Sequence, residues 1–212
     1  MGKKKLAFLV AGFIFLASFY FLSVIVKSKV LGSFDFDTTV RIQNHIPKRF
    51  DTILSFLSLL GSFEILFVVL CLILIVHKKI IAIFTTLFFF LAAHVGEIFG
   101  KAFLRHPGPP FLFFRYDIPF LFPSSYVQPG SSYPSGHSLR ITFIAVVVTY
   151  LLMISKKLKK NPAGKIIAIS LVWGFAVIML ITRVSLGEHW ATDVIGGALF
   201  GTGMGFLSLI FF

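Results

Sequence analysis

A chain of 212 residues that is 57% hydrophobic and 17% aromatic, with 28 Phe, carries more apolar surface than one water-soluble core of this size encloses; an ordinary soluble domain is excluded and an integral membrane protein indicated. The formal net charge of +12 raises nucleic acid as a partner, but the aromatics lie inside long apolar runs and are not interleaved with the basic residues. Anionic lipid head groups and topology signals account for the charge instead, and the single cysteine, Cys71, excludes a disulfide framework and reads as a small buried hydrophobe.

Met1 to Lys5 is a short basic start, followed by about 21 apolar residues from Leu6 to Val26, enough to cross a hydrocarbon core of ~30 Å. This run is longer than the ~7–15 apolar residues of a signal peptide and no small-x-small cleavage site follows, so a retained helix is expected. Residues 27–51, with Asp35, Asp37, Arg41, Lys48 and Arg49, read as an amphipathic segment along the membrane surface. Further spans are expected over Thr52–Val76, Ile80–Phe103, Ser138–Ile154, Lys165–Leu186 and from Trp190 to the end. The expected fold is therefore all-α: a polytopic six-transmembrane-helix bundle, one domain over residues 1–212.

Lys3, Lys4, Lys5, Lys78, Lys79, Lys156, Lys157, Lys159, Lys160 and Lys165 all fall on one side without acidic companions, which assigns that side and both termini to the cytoplasm. Asp35, Asp37, Asp51, Asp117, Glu188 and Asp193 fall on the other, exterior or periplasmic side. In the last span Gly197, Gly201 and Gly205 recur at four-residue spacing, with Gly196 and Gly203 beside them, and predict close approach of another helix.

Three clusters meet the exterior side. Gly100-Lys101-Ala102-Phe103-Leu104-Arg105-His106-Pro107-Gly108-Pro109-Pro110 ends the third span. Ser132-Tyr133-Pro134-Ser135-Gly136-His137 opens the fourth, where unpaired amides and the positive end of the helix dipole suit a phosphate oxygen and the imidazole adds a proton donor. Thr182 to Asp193 contributes Arg183, His189 and Asp193, the last two four apart, the helical spacing at which a carboxylate orients an imidazole. A single cation at a membrane helix end snorkels to the interface, but Lys101, Arg105, Arg140 and Arg183 beside two histidines point to an anion site. Glu97 and His94 share a face with Lys101, and Glu97 is expected to pair with it; His45, His77 and His106 are expected at the surface or interface.

In this order the clusters resemble the type 2 phosphatidic acid phosphatase family, whose pattern is Lys-x6-Arg-Pro, Pro-Ser-Gly-His, then Ser-Arg-x5-His-x3-Asp. The second is intact as Pro134-Ser135-Gly136-His137, and the third is kept with Thr182 in place of Ser. The first departs: counting from Lys101, the arginine position holds Gly108, followed by Pro109. Arg140 is the first choice to supply that charge, with Arg105 and Arg115 as alternatives.

The resemblance covers about residues 101–197 and implies a catalytic core over about residues 94–200. It implies His189 as nucleophile through a phosphohistidine, Asp193 fixing its tautomer, and His137 as general acid and base. Lys101, Arg183, Ser135 and the Gly136 amide, with Arg140 or Arg105, would bind the phosphoryl oxygens. No cofactor and no metal are expected, the exterior side lacking a clustered set of carboxylates or cysteines. The implied substrate is a membrane lipid phosphate or diphosphate: undecaprenyl diphosphate, phosphatidylglycerol phosphate, phosphatidic acid or the 1-phosphate of lipid A. The implied place is the cytoplasmic membrane, with the site outward and the aromatic loop Pro107–Tyr133 shaping the head-group entrance. A lipid-to-lipid phosphotransferase and a non-catalytic lipid-phosphate transporter are the rival readings.

Overall fold

The computed structural model describes residues 2–75, 80–123 and 130–212. His77, Lys78 and Lys79, used above for surface placement and orientation, and residues 124–129 of the long loop lie outside the described residues. Described residues form helices and connecting turns, with no strand among them. The elements are α1 (Lys3–Lys27), α2 (Gly32–His45), α3 (Asp51–Leu60), α4 (Phe63–Ile75), α5 (Ile80–Leu104), α6 (Gly136–Ile154), α7 (Lys156–Lys159), α8 (Pro162–Ser185) and α9 (Ala191–Ser208).

Each long helix follows from an apolar run without interior proline, and at 1.5 Å per residue a helix of about 20 residues spans the bilayer core. α8 starts with Pro162 in its first turn, where the missing N–H costs nothing, and the Asn161 side chain accepts from the Gly164 amide at 2.9 Å. α1, α5, α6, α8 and α9 with its terminal turn are long and apolar enough to cross a membrane. The expected continuous span Thr52–Val76 is instead two helices, α3 and α4, bent by 53° at Gly61-Ser62; counted as one span, they complete a six-span bundle.

The break has a local cause. The amides of Gly61 and Ser62 bond back only three residues, to Ser58 and Leu59, which closes α3 early. The freed Gly61 carbonyl accepts from Arg140 Nε at 3.4 Å. A Cβ at Gly61 would lie 2.7 Å from His137 Cδ2, so only glycine lets that imidazole pack on the bend.

Burial is arranged as lipid requires. Phe13 and Phe21 of α1, Phe84 and Phe88 of α5 and Ile166 and Leu171 of α8 are exposed on the outside, while Leu70, Leu74, Phe90, Phe143, Val147 and Met179 fill the interior between α4, α5, α6 and α8. α9 packs most extensively on α6 and α1. The glycine row does what its spacing predicts: Cβ atoms at Gly197 and Gly201 would run into the Ser135 and Leu139 carbonyls, so α6 and α9 touch backbone to backbone. Gly203 faces α1 instead, against Leu16 and Gly12.

One end of the bundle joins the start of α1 to the ends of α6 and α9, through Phe8 against Tyr150 at 5.5 Å and Phe206 at 6.4 Å. At the other end Ser23 Oγ and the buried Tyr133 hydroxyl are 2.9 Å apart, joining the end of α1 to the turn before α6. α2 is docked at this second end. The buried Asp35 carboxylate accepts from the Thr192 amide at 2.9 Å and its hydroxyl at 2.7 Å, and Gln43 Nε2 donates to the carbonyls of Phe113 and Ser185 at 2.7 and 3.0 Å.

Candidate active site

The start of α6, the end of α8 and the start of α9 meet where the three clusters converge. The Ser135 amide donates to the Asp193 carbonyl at 3.0 Å, which fixes the Pro134-Ser135-Gly136-His137 turn against the first turn of α9. A side chain at Gly136 would run into the Glu97 carboxylate; this glycine is set by α5 packing on the helix mouth. Between α8 and α9, Gly187 adopts the left-handed φ of 66° that lets the chain turn, and a Cβ there would strike the Phe113 carbonyl. That turn presents Glu188 and His189.

A cleft of about 510 Å³ opens at this end, lined among others by Lys101, Gly108, Tyr116, Arg183, Glu188 and His189. His137 packs on Gly61 and lies within electrostatic reach of Arg183, Arg140, His189 and Lys101. Burial holds the His189 imidazole below its ordinary pKa; Arg183 and Lys101 act in the same sense, and Asp193 opposes them. Ser135 Oγ, Arg183 Nε and His189 Nδ1 are buried without a hydrogen-bond partner among the described residues.

Asp193 is fully buried and serves more than one group. Its Oδ2 accepts from the Trp190 amide at 2.9 Å and lies 3.5 Å from His189 Nδ1, an electrostatic approach rather than a formed hydrogen bond. Its Oδ1 is 2.9 Å from Nδ1 of His106. His106, expected at the surface, is thus half-buried and tied to the α9 carboxylate. Burial alone would lower its pKa, but the hydrogen bond and charge of Asp193, with Asp35 behind it, raise it above the ordinary value. Nothing in the local spacing marks this pair, whose members are 87 residues apart. His45, in contrast, is exposed as expected.

The cations divide into two groups. Lys101 and Arg183 line the cleft. Lys101 Nζ donates to Glu97 Oε1 at 2.9 Å, the expected pairing, and Arg140 Nη1 donates to the other oxygen of the same carboxylate at 2.8 Å, with His94 Nδ1 at 3.1 Å. Glu97 is therefore a buried bracket between two cations.

None of the three substitutes weighed for Gly108 is among the residues lining the cleft. Arg140 sits behind Glu97; Arg105 is exposed on a left-handed backbone of φ 46°. Arg115 binds both oxygens of Asp51 at 2.6 and 3.0 Å, which anchors the loop to α3. No group of three or more His, Cys, Asp or Glu suited to an ion occurs among the described residues. What the cleft offers is an imidazole, two cations and a carboxylate, a set suited to proton transfer and anion binding.

Comparisons with known proteins bear on the family and the fold. The family model described as PAP2 superfamily matches residues 79–212. Over 80 residues the chain is 35% identical to phosphatidylglycerophosphatase B of Bacillus subtilis (strain 168), an alignment spanning 38% of this chain and 38% of that relative. Its fold is similar to the crystal structure of a transmembrane PAP2 type phosphatidylglycerolphosphate phosphatase from Bacillus subtilis, with a TM-score of 0.74 and 21% identity over 93% of this chain and 94% of that one. It is also similar to Aquifex aeolicus LpxE, at a TM-score of 0.61 and 24% identity over 83% and 94%. The family model spans more than half of the chain, and the chain belongs to the PAP2 superfamily.

Proposed function

We propose that the chain is a membrane lipid phosphatase that removes a terminal phosphate from a lipid phosphate or diphosphate through a phosphohistidine on His189. The observation that carries this reading is the convergence of Lys101, Arg183 and a buried His189 on one cleft, with His137 within electrostatic reach of all three and Asp193 behind the nucleophile.

With Nδ1 facing Asp193, His189 presents Nε2 to the substrate. Nε2 attacks phosphorus in line as the P–O bond to the lipid breaks, and His137 gives its proton to the departing oxygen. His137 then takes a proton from water, whose oxygen attacks the phosphohistidine; inorganic phosphate leaves and His189 is neutral again. Lys101, Arg183, the Ser135 hydroxyl and the Gly136 amide bear the charge on the transferring oxygens. Arg140 enters through Glu97 rather than by contact. The site faces the exterior or periplasm, with the lysine-rich end and both termini cytoplasmic.

The test is release of inorganic phosphate by purified protein in detergent from phosphatidylglycerol phosphate, phosphatidic acid, undecaprenyl diphosphate and lipid A 1-phosphate. At least one is expected to be turned over; binding of all four without release would defeat the reading, and release only in the presence of an acceptor lipid would make the chain a phosphotransferase. Dependence on pH is a second check. The nucleophile acts neutral and its pKa is lowered, so the acid limb of kcat/KM is expected with a midpoint below about 6.5, the ordinary histidine value. Activity is lost as pH falls through that midpoint and again on the alkaline side, where the general acid has lost its proton.

A further inference from the structure

Glu188 has no part in the steps above, yet it lines the same cleft beside Arg183 and His189. Its Oε2 accepts from Arg183 Nη1 at 2.5 Å and from the Ser58 hydroxyl of α3 at 3.2 Å. Arg183 Nη1 also donates to Ser58 Oγ, so carboxylate, hydroxyl and guanidinium nitrogen form a closed triangle. Both hydrogen bonds that this guanidinium makes to described residues leave from Nη1, while its buried Nε has no acceptor among them.

A guanidinium is a rigid planar fork, and holding one terminal nitrogen at two points fixes where the remaining donors aim. The edge formed by Nε and Nη2 is the one that grips two oxygens of a phosphate side by side. We infer that Glu188 and Ser58 are positioning residues that turn this edge of Arg183 to the phosphoryl oxygens, making Glu188 a determinant of phosphate affinity. The inference rests on the phosphatase reading for its substrate but not for its anion. The opposite role is also physically definite: a carboxylate competing with phosphate for Arg183 would weaken binding, and its removal would tighten it. An Nε without a partner among the described residues favours positioning, because a competitor would occupy the gripping edge, whereas Glu188 holds the far corner.

Two readouts separate these roles: KM and kcat on the most active lipid phosphate of the panel, and calorimetric binding of inorganic phosphate, which needs no turnover. Glu188→Ala is expected to raise KM and weaken inorganic phosphate binding each by about 10-fold, with a fall in kcat as well, since Arg183 also bears charge on the transferring oxygens. Glu188→Gln, whose amide oxygen still accepts from Nη1 and Ser58, is expected to recover most of the loss. Ser58→Ala, on a different helix, should shift both quantities in the same direction by less, and guards against a folding defect at the turn. Tighter or unchanged binding in Glu188→Ala, or equal impairment in the alanine and glutamine variants, would overturn the proposal. A parent protein that binds inorganic phosphate but releases none from any lipid would defeat the phosphatase reading while leaving the Glu188 comparison intact.

Discussion

Replacing His189 with alanine is expected to lower phosphate release by at least about 10⁴-fold, because the proposed mechanism assigns the covalent step to its imidazole. Brief reaction of the parent with labelled substrate followed by alkaline quench should trap phosphate on the protein, as a base-stable, acid-labile adduct absent from His189→Ala. Asp193→Asn is expected to cost about 10²–10⁴-fold, by analogy with carboxylates that orient a catalytic imidazole. Here the carboxylate also holds His106 and the Trp190 amide through different oxygens, so the asparagine turns its NH2 donor toward one of them. Turnover surviving in His189→Ala, or a trapped adduct that persists in it, would move the nucleophile elsewhere.

Glu97→Ala is expected to destabilise the bundle by about 3–5 kcal/mol, the range for removing one partner of a buried ionic group. Lys101 and Arg140 both end on this carboxylate, at 2.9 and 2.8 Å, and neither has another carboxylate within salt-bridge distance among the described residues. Without it two buried cations repel each other beside the mouth of α6. The check is the unfolding midpoint in detergent, with Glu97→Gln/Arg140→Met as a control that removes one charge of each sign. If the control is no more stable than Glu97→Ala, cavity effects rather than charge explain the loss; if Glu97→Ala unfolds with the parent, the bracket has no energetic weight.

The long apolar runs made the bundle legible because in lipid a backbone has few alternatives to helix, and five of the expected spans follow those runs directly. Thr52–Val76 was not legible as two helices. Its hydropathy is continuous across Gly61, and the bend is secured by what packs there, His137 and Arg140, from a helix 70 residues and more downstream. The same distinction holds at the site. His189 and Asp193, or Glu97 and Lys101, are four apart and declare themselves by spacing. His106 with Asp193, Ser58 with Glu188 and Asp35 with Thr192 are separated by 87, 130 and 157 residues, and each joins residue types that are common at helix ends. Pairings of that kind carry no local period. The departure at Gly108 was visible, but the whereabouts of Arg105, Arg115 and Arg140 depended on loop path and on partners at Asp51 and Glu97.

The docking of α2 and α3 bears on how the chain tolerates dissection. Every signature residue lies within the family-matched stretch 79–212, so a shortened version beginning there would look complete on paper. It would lack Asp35 on the Thr192 amide, Gln43 between the Phe113 and Ser185 carbonyls, Asp51 on Arg115 and Ser58 on Arg183. Such a fragment keeps the tools and discards the vice that grips them, and grafting the signature stretch onto a foreign amino-terminal half would require transplanting those four contacts as well.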